Sequence, residues 1–456
     1  MEISDTLSTF IRNIAFDDLP PSVISKAKDT ILDSMGIAIR GSLTPEALIV
    51  RGALAKVSGL GDSTVIADEQ RVSSRWAAFA NAVAINSLEL DDTCNRTYCH
   101  PSTVIVPVVL ALGEATEASG KEMLTSLVVG YEITLRVAAA ACSHRAQGFA
   151  ITGTTGTFGA AAAAGKLLGL SERQLTHALG LAGSIAPLSL LEFLSDGAMS
   201  KVIYAGMAAH NGILSAMLAL EGVTGPQSII EGPFGFLAVT SGVKNKPTLV
   251  SRDLGQKFAI SRVSFKPYAC CRHFHGAIDC LLELREKMDP KELALIEKII
   301  IRSNALAIKG HDCPSPDTVQ AAQQSFPYVC AIALLEGTVS IDDFSMDQLK
   351  DPDRCTLANK VHLIVDQDMN RNLPFSTLAS VEILLRDGNR LQCHSDAPLG
   401  NPEKPLTGSA LVAKFLGLTS AIIGAEKQNN LIETIYSLES IRAKDLGRLL
   451  CFRAAV

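Results

Sequence analysis

The chain lacks most of what would mark a nucleic-acid binder, a membrane protein or a secreted scaffold. Over 456 residues only 19% are charged, and the balance is slightly acidic, with a net charge of −6. Lys and Arg are dispersed and form no basic stripe, so there is no electrostatic footprint for nucleic acid. Apolar runs are short: Val104–Leu112 carries Pro107 and ends near Glu114, and Ala160–Leu170 contains Lys166. No run reaches the roughly 18 apolar residues a spanning helix needs. The first residues, Met1-Glu-Ile-Ser-Asp5, are acidic and have no apolar signal core. The expectation is a cytoplasmic protein whose 11 cysteines are reduced thiols. Aromatic residues are scarce at 5%, with a single Trp. Hydrophobic residues nevertheless make up 47%, which excludes disorder and predicts a large core of closely packed, Ala- and Gly-rich helices.

Several chemistries are also missing. No Gly-x-Ser-x-Gly elbow offers a serine nucleophile. Gly153-Thr-Thr-Gly-Thr-Phe-Gly159 has the glycines of an anion-binding turn at an expected helix entry, yet lacks the Lys-Ser/Thr of a P-loop. Its alternatives are an anion-facing turn or a close-packing segment. Cys94, Cys99 and His100, and Cys270-Cys271 with His273 and His275, do not have the spacing of a structural zinc site or an iron–sulfur cluster. The expectation is no metal. A thiol nucleophile at Cys270 or Cys271 is weaker than the reading of two buried core thiols.

Periodicity divides the chain. From Leu7 to about Leu249 the pattern is helical, with stretches at Ser22–Arg40, Trp76–Leu90, Val104–Ala118, Glu122–Ala141, Gly156–Leu168, Glu172–Leu181 and Lys201–Leu220. Ser63–Asp68 reads as a short strand. After about Ser264 the period changes. Glu297–Leu306, Ala379–Leu385 and Asn389–His394 read as strands, with Arg386-Asp387-Gly388 as a hairpin turn, and helices are expected at Gly276–Lys287 and Thr318–Glu336. Pro398, Pro402 and Pro405 mark a linker before a helical tail from Gly408 to Leu450. The predicted fold is mainly α: a large all-helical domain from residues 1–263 and 397–456, with an inserted α+β domain at 264–396.

The stretch Glu89-Leu-Asp-Asp-Thr-Cys-Asn-Arg-Thr-Tyr-Cys-His100 carries the densest chemistry. It places Glu89, Asp91, Asp92, Thr93 and His100 within twelve residues, directly before an apolar segment. Acid–base work on a small polar substrate needs such groups against a dry wall. The competing reading is a solvated helix end and loop. Arg272, His273 and His275 form a second cluster. Arg grips carboxylates with two parallel hydrogen bonds, and His exchanges protons near neutral pH; the competing reading is a His satisfied in a seam between domains. Lys201, after Gly197-Ala-Met-Ser200, opens an apolar helix where a cation opposes the dipole, as if drawn to an anion; the competing reading is a surface Lys whose stem snorkels along the helix.

These segments together resemble the MmgE/PrpD family, whose members include 2-methylcitrate dehydratase, cis-aconitate decarboxylase and iminodisuccinate epimerase. The segments are Leu32-Asp-Ser-Met-Gly36, Leu90-Asp-Asp-Thr93 with His100-Pro-Ser102, Gly130-Tyr-Glu132, Gly153–Gly169, Gly197–Lys201 with Ala208–Gly212, Gly232–Phe236, Lys266–His275 and Ser325-Phe-Pro-Tyr328. The resemblance implies a helical domain closed by both chain ends, a smaller lid, a homodimer, and a site without metal or organic cofactor in the cleft between domain and lid. It implies catalytic roles for His100, His275, Lys201, Asp91 and Tyr328. Substrate contacts would fall on Glu89, Asp92, Thr93, Arg272, His273, Lys266 and Ser200. Glu89 stands where the family often has Asp, and the Thr93–His100 spacing is about one residue longer than in the decarboxylase. The implied activity is a lyase reaction on a small di- or tricarboxylate. A 2-methylcitrate dehydratase-type hydro-lyase comes first, cis-aconitate decarboxylation or iminodisuccinate epimerisation second, and a non-catalytic helical homodimer is the reading of another class. No partner other than a small polycarboxylate and a second copy is implied.

Overall fold

The computed structural model describes residues 2–193, 197–371, 378–406 and 408–454. The first half is a helical array. It comprises α1 (Ile3–Asn13), α2 (Pro21–Gly41), α3 (Pro45–Leu54), α4 (Ser74–Asn86), α5 (Ser102–Ala115), α6 (Gly120–Ala140), α7 (Ile151–Leu167), α8 (Glu172–Ile185) and α9 (Ile203–Leu220). Local chemistry sets the starts. Pro21 and Pro45 sit in first turns, where a missing N–H costs nothing. Ser119 with Glu122, and Ser171 with Gln174, form reciprocal capping boxes for α6 and α8.

Helix α7 is the hub, buried from Ile151 to Gly165 between α5, α6 and α9. It begins five residues before the expected start, so Gly153–Gly159 lies inside the helix and is not an anion-binding turn. The glycines serve close approach instead. A Cβ on Gly159 would lie 1.8 Å from Thr134 Oγ1 and 2.5 Å from the Gly130 carbonyl oxygen of α6. One on Gly212 of α9 would lie 2.2 Å from Ala160 Cβ. Aromatic-poor, small-residue helices can cross this tightly because no bulky side chain keeps their backbones apart.

Two helices, Gly120–Ala140 and Met199–Leu220, are by length and composition apolar enough to cross a membrane, which short-run counting did not anticipate. Their apolar windows are 94% and 72% buried inside the fold, as core helices are.

The expected strand at Ser63–Asp68 shrinks to a two-residue β1 (Ser63–Thr64) paired with β2 (Arg71–Val72). The main sheet has four strands in the order β4-β3-β5-β6: β3 (Ile296–Ser303), β4 (Val361–Val365), β5 (Ala379–Leu385) and β6 (Arg390–Ser395). β3 runs parallel to β4 and antiparallel to β5. The β5–β6 hairpin turns at Gly388, whose φ of +90° suits glycine. Strand β4 was not read from the sequence. Helix α10 (His275–Lys287) packs on β5 and β6. The helix expected over Thr318–Glu336 is broken by Ser325-Phe-Pro327, where Ser325 caps a new helix, α11 (Phe326–Glu336). The tail forms α12 (Gly408–Thr419), α13 (Ala425–Tyr436) and α14 (Ala443–Leu450), and α12 lies along α2 with Phe415 against Gly36. Lys414 of α12 reaches Asp33 at 2.6 Å and the Leu90 carbonyl at 3.2 Å, anchoring the tail just behind the acidic stretch. The architecture is therefore mainly helical, with one small mixed sheet.

Candidate active site

The acidic stretch follows α4 as a compact irregular loop. Glu89 and Tyr98 take left-handed backbone conformations, φ +55° and +56°, that L side chains rarely adopt. Such strain persists only where surrounding contacts impose it. Here they do: Thr93 pairs with Ser264 and Cys94 with Cys99, and Lys266 Nζ donates to the Glu89 carbonyl at 3.0 Å.

This loop forms one wall of a cavity of about 90 Å³, measured as the space open to the centres of water molecules. Of the residues singled out in the sequence, Glu89, Asp91, Thr93, His100, Lys201, Lys266, Cys271, Arg272 and His273 line it; Cys270 is a buried core thiol as expected, whereas Cys271 is half-buried at the cavity wall. They come from separate parts of the chain. Lys201 sits in a 3-10 turn (Met199–Val202) leading into α9, and Arg272 and His273 in a 3-10 turn (Arg272–Phe274) leading into α10.

Lys201 is ion-paired with Glu89. Lys266, fully buried, lies 3.3 Å from Glu89 and 3.6 Å from Asp91. Asp91 also accepts from Asn86 Nδ2 at 3.0 Å. Burial drives the Asp91 carboxyl upward, against the pull of the Lys266 ammonium. Burial, then the nearby Lys266 charge, brings Lys201 down to about 7. Cys271 and Glu46 pull the other way.

His100 is held through Nδ1, 2.8 Å from both the Asp92 carbonyl oxygen and Thr93 Oγ1. A carbonyl only accepts, so this geometry assigns the proton to Nδ1 and leaves Nε2 for the cavity. The His100 side chain is 23% exposed, consistent with a ring that faces open space. Burial, then Lys266, depresses its pKa to about 3, so the imidazole is neutral at pH 7. His273 is pushed to about 3 by burial and then by Arg145.

Four expected site residues do not line the cavity. Asp92 turns inward, accepting from Tyr131 Oη at 2.6 Å and from the Ser102 N–H at 2.9 Å. It thereby anchors the start of α5, and burial raises its pKa to about 6. His275 is wholly buried one side chain behind the wall, its Nδ1 2.8 Å from Arg272 Nη1. Burial, then the guanidinium, hold its imidazole neutral. Tyr328 is buried in α11, and its hydroxyl donates to the Gln348 carbonyl at 2.8 Å, away from the cavity. Ser200 is exposed in the turn before Lys201. For Asp92 and Ser200 an adjacent residue, Asp91 or Thr93 and Lys201, supplies the inward side chain; near His275 it is His273, two positions away, and near Tyr328 it is Gln324, four positions away.

The cavity also holds residues the sequence reading missed: Asn86, Tyr98, Arg145, Thr152, Tyr204, His311 and Gln324 among them. Thr152 Oγ1 accepts from the His100 N–H at 2.9 Å, fixing the loop to α7. Arg272 is locked to the segment after the sheet, to the Leu399 carbonyl at 3.0 Å and to Asn401 Oδ1. Asn401 Oδ1 also accepts from Asn95 Nδ2 at 3.0 Å and Ser264 Oγ at 3.1 Å, tying both sides of the cavity together. Among the described residues no group of three or more His, Cys, Asp or Glu side chains is placed to hold a metal ion.

The lining thus offers four cations (Lys201, Lys266, Arg145, Arg272), two carboxylates (Glu89, Asp91) and three imidazoles (His100, His273, His311), of which His100 presents Nε2 to the cavity. That arrangement can bind a multiply charged anion and move a proton beside it.

Comparison with known proteins identifies the family. The model of the MmgE/PrpD N-terminal domain matches residues 5–248, and that of the MmgE/PrpD C-terminal domain matches residues 268–440. Similar relatives include cis-aconitate decarboxylase of Homo sapiens, 29% identical over 96% of this chain and 92% of the relative. That of Mus musculus is 29% identical over 98% and 93%. Cis-aconitate decarboxylase of Aspergillus terreus is 26% identical over 98% and 95%. With both domain models matched along most of its length, the chain belongs to the MmgE/PrpD family.

Proposed function

We propose that this protein is a lyase acting on a small polycarboxylate, and that its reaction is decarboxylation of cis-aconitate or a close analogue. The observation that carries the reading is the excess of cations around His100 in one buried cavity. Full-length similarity to cis-aconitate decarboxylases supports the choice of reaction. The sequence alone favoured dehydration of 2-methylcitrate; none of the relatives named above carries that activity in its name, and decarboxylation takes its place.

The chemistry follows from the substrate. cis-Aconitate carries three carboxylates on a propene frame. When the carboxylate on its saturated carbon leaves as carbon dioxide, the C–C electron pair spreads into the allyl system beside a remaining carboxylate. One proton then forms a C–H bond at the far carbon, giving 2-methylenesuccinate. Each turnover consumes one proton. Lys201 and Lys266 hold carboxylates and offset the charge that develops as the C–C bond breaks. His100 Nε2 delivers the proton to carbon. A trianionic guest raises its depressed pKa, so the ring takes up a proton together with the substrate. His275 acts through Arg272, orienting the guanidinium.

Proton NMR of the protein incubated separately with cis-aconitate, 2-methylcitrate and iminodisuccinate tests this. Conversion of cis-aconitate to a dicarboxylate with a terminal methylene supports the reading. Turnover of either other acid with cis-aconitate untouched refutes it.

A further inference from the structure

Arg145 differs from the other cations of the cavity. Lys201 and Lys266 face Glu89 and Asp91, and Arg272 is engaged by Asn401, Leu399 and His275. Among the described residues no carboxylate pairs with Arg145. Its guanidinium lies instead 5.7 Å from the centre of the Tyr98 ring, which is itself 5.7 Å from the His273 ring.

The support under it is built rather than incidental. Arg145 lies in a 3-10 turn (Arg145–Gln147) between α6 and α7, closed by Gly148 at φ +88°. The Gly148 carbonyl accepts from the Leu191 N–H at 2.9 Å, pinning that turn to the opposite segment. Tyr98 is held in its left-handed conformation on the acidic loop. An aromatic face orients a guanidinium without neutralising it. A guest carboxylate arriving at the lysines must compete with Glu89 and Asp91. One arriving at Arg145 meets no resident carboxylate among the described residues.

We propose that Arg145 is a specificity-determining residue, gripping a carboxylate of the guest that Lys201 and Lys266 do not hold, so that the cavity selects tricarboxylates over dicarboxylates. This rests on the polycarboxylate reading above. Lys201 and Lys266 fix the reacting end of the guest, and Arg145 on its aromatic support reads the remaining charge.

Calorimetric titration tests it with three non-reacting ligands: tricarballylate, glutarate (the same chain without the central carboxylate) and methylsuccinate (without a terminal one). Arg145→Gln should weaken tricarballylate by about tenfold to a hundredfold, the loss of one charge-assisted contact. At least one dicarboxylate should bind the variant as it binds the wild type, and the thermal midpoint of the unliganded protein should be unchanged. Unaltered tricarballylate binding overturns the inference, as does an equal loss for all three ligands. A wild-type protein that binds none of them overturns the polycarboxylate reading and this inference with it.

Discussion

His100 shows how a residue's role is set by what holds it. With Nδ1 committed to the Asp92 carbonyl and Thr93, only Nε2 can meet a guest. His100→Ala should lower kcat by about 10²–10⁴-fold, the usual worth of a positioned proton donor, with little change in KM or thermal midpoint. Steady-state kinetics beside a melting curve checks this. Lys201 gives a pH prediction. Its pKa is lowered to about 7, and the charged form is the one that binds. kcat/KM, which reports the free enzyme, already falls with pH because His100 must take up a proton, and it should fall more steeply as pH rises through the region above about 7, where Lys201 loses its charge. In Lys201→Arg the cation persists to far higher pH, and that extra steepening should disappear. The residues legible in the sequence were those clustered within a few positions, Glu89 to His100 and Arg272 with His273. Arg145, Tyr204 and Asn86 carried no local signal, because each is brought to the cavity by a different turn or helix. His275 and Tyr328 lay in the right segments, but backbone direction turned their side chains into the core.

At the scale of elements, the helices of the first half were readable because apolar periodicity is a local property. The start of α7 was not. Gly and Thr at 153–159 suggest a turn by propensity, and tertiary packing against α5 and α6 overrides them. That packing predicts an outcome. Gly159→Ala gains up to about 1 kcal/mol of helix propensity, but its methyl would meet a backbone carbonyl oxygen that cannot yield. The overpacking cost of about 1–3 kcal/mol should win, and the unfolding midpoint should drop. A midpoint equal to or above the wild type's would show that α6 and α7 can separate freely. Strand β4 escaped the sequence because its five residues pair with β3 across about 60 positions, and no short-range pattern encodes a parallel neighbour.

At the scale of the molecule, the helical array and the sheet-bearing segment meet around one cavity, and Asn401 is their shared hydrogen-bond hub. It touches Asn95 on the acidic loop and Arg272 before α10. Asn401→Ala should leave a folded protein with kcat/KM reduced by about 10²-fold, because small misplacements of positioned groups are costly. Circular dichroism together with steady-state rates would detect it, and unchanged kinetics would remove the hub from the account. The change of period near Ser264 made it legible that strands follow an all-helical stretch, and the main sheet does begin after it, at Ile296; how the two stretches face each other was not legible, since that depends on contacts between residues hundreds of positions apart. The central claim is that one anionic guest is held by groups from both parts. A crystal structure of the protein with tricarballylate tests it most directly. The account predicts the ligand in this cavity, carboxylates against Lys201 and Lys266 and a carbon chain facing His100 Nε2. A ligand bound elsewhere, or a cavity that stays empty at saturating tricarballylate, would contradict it.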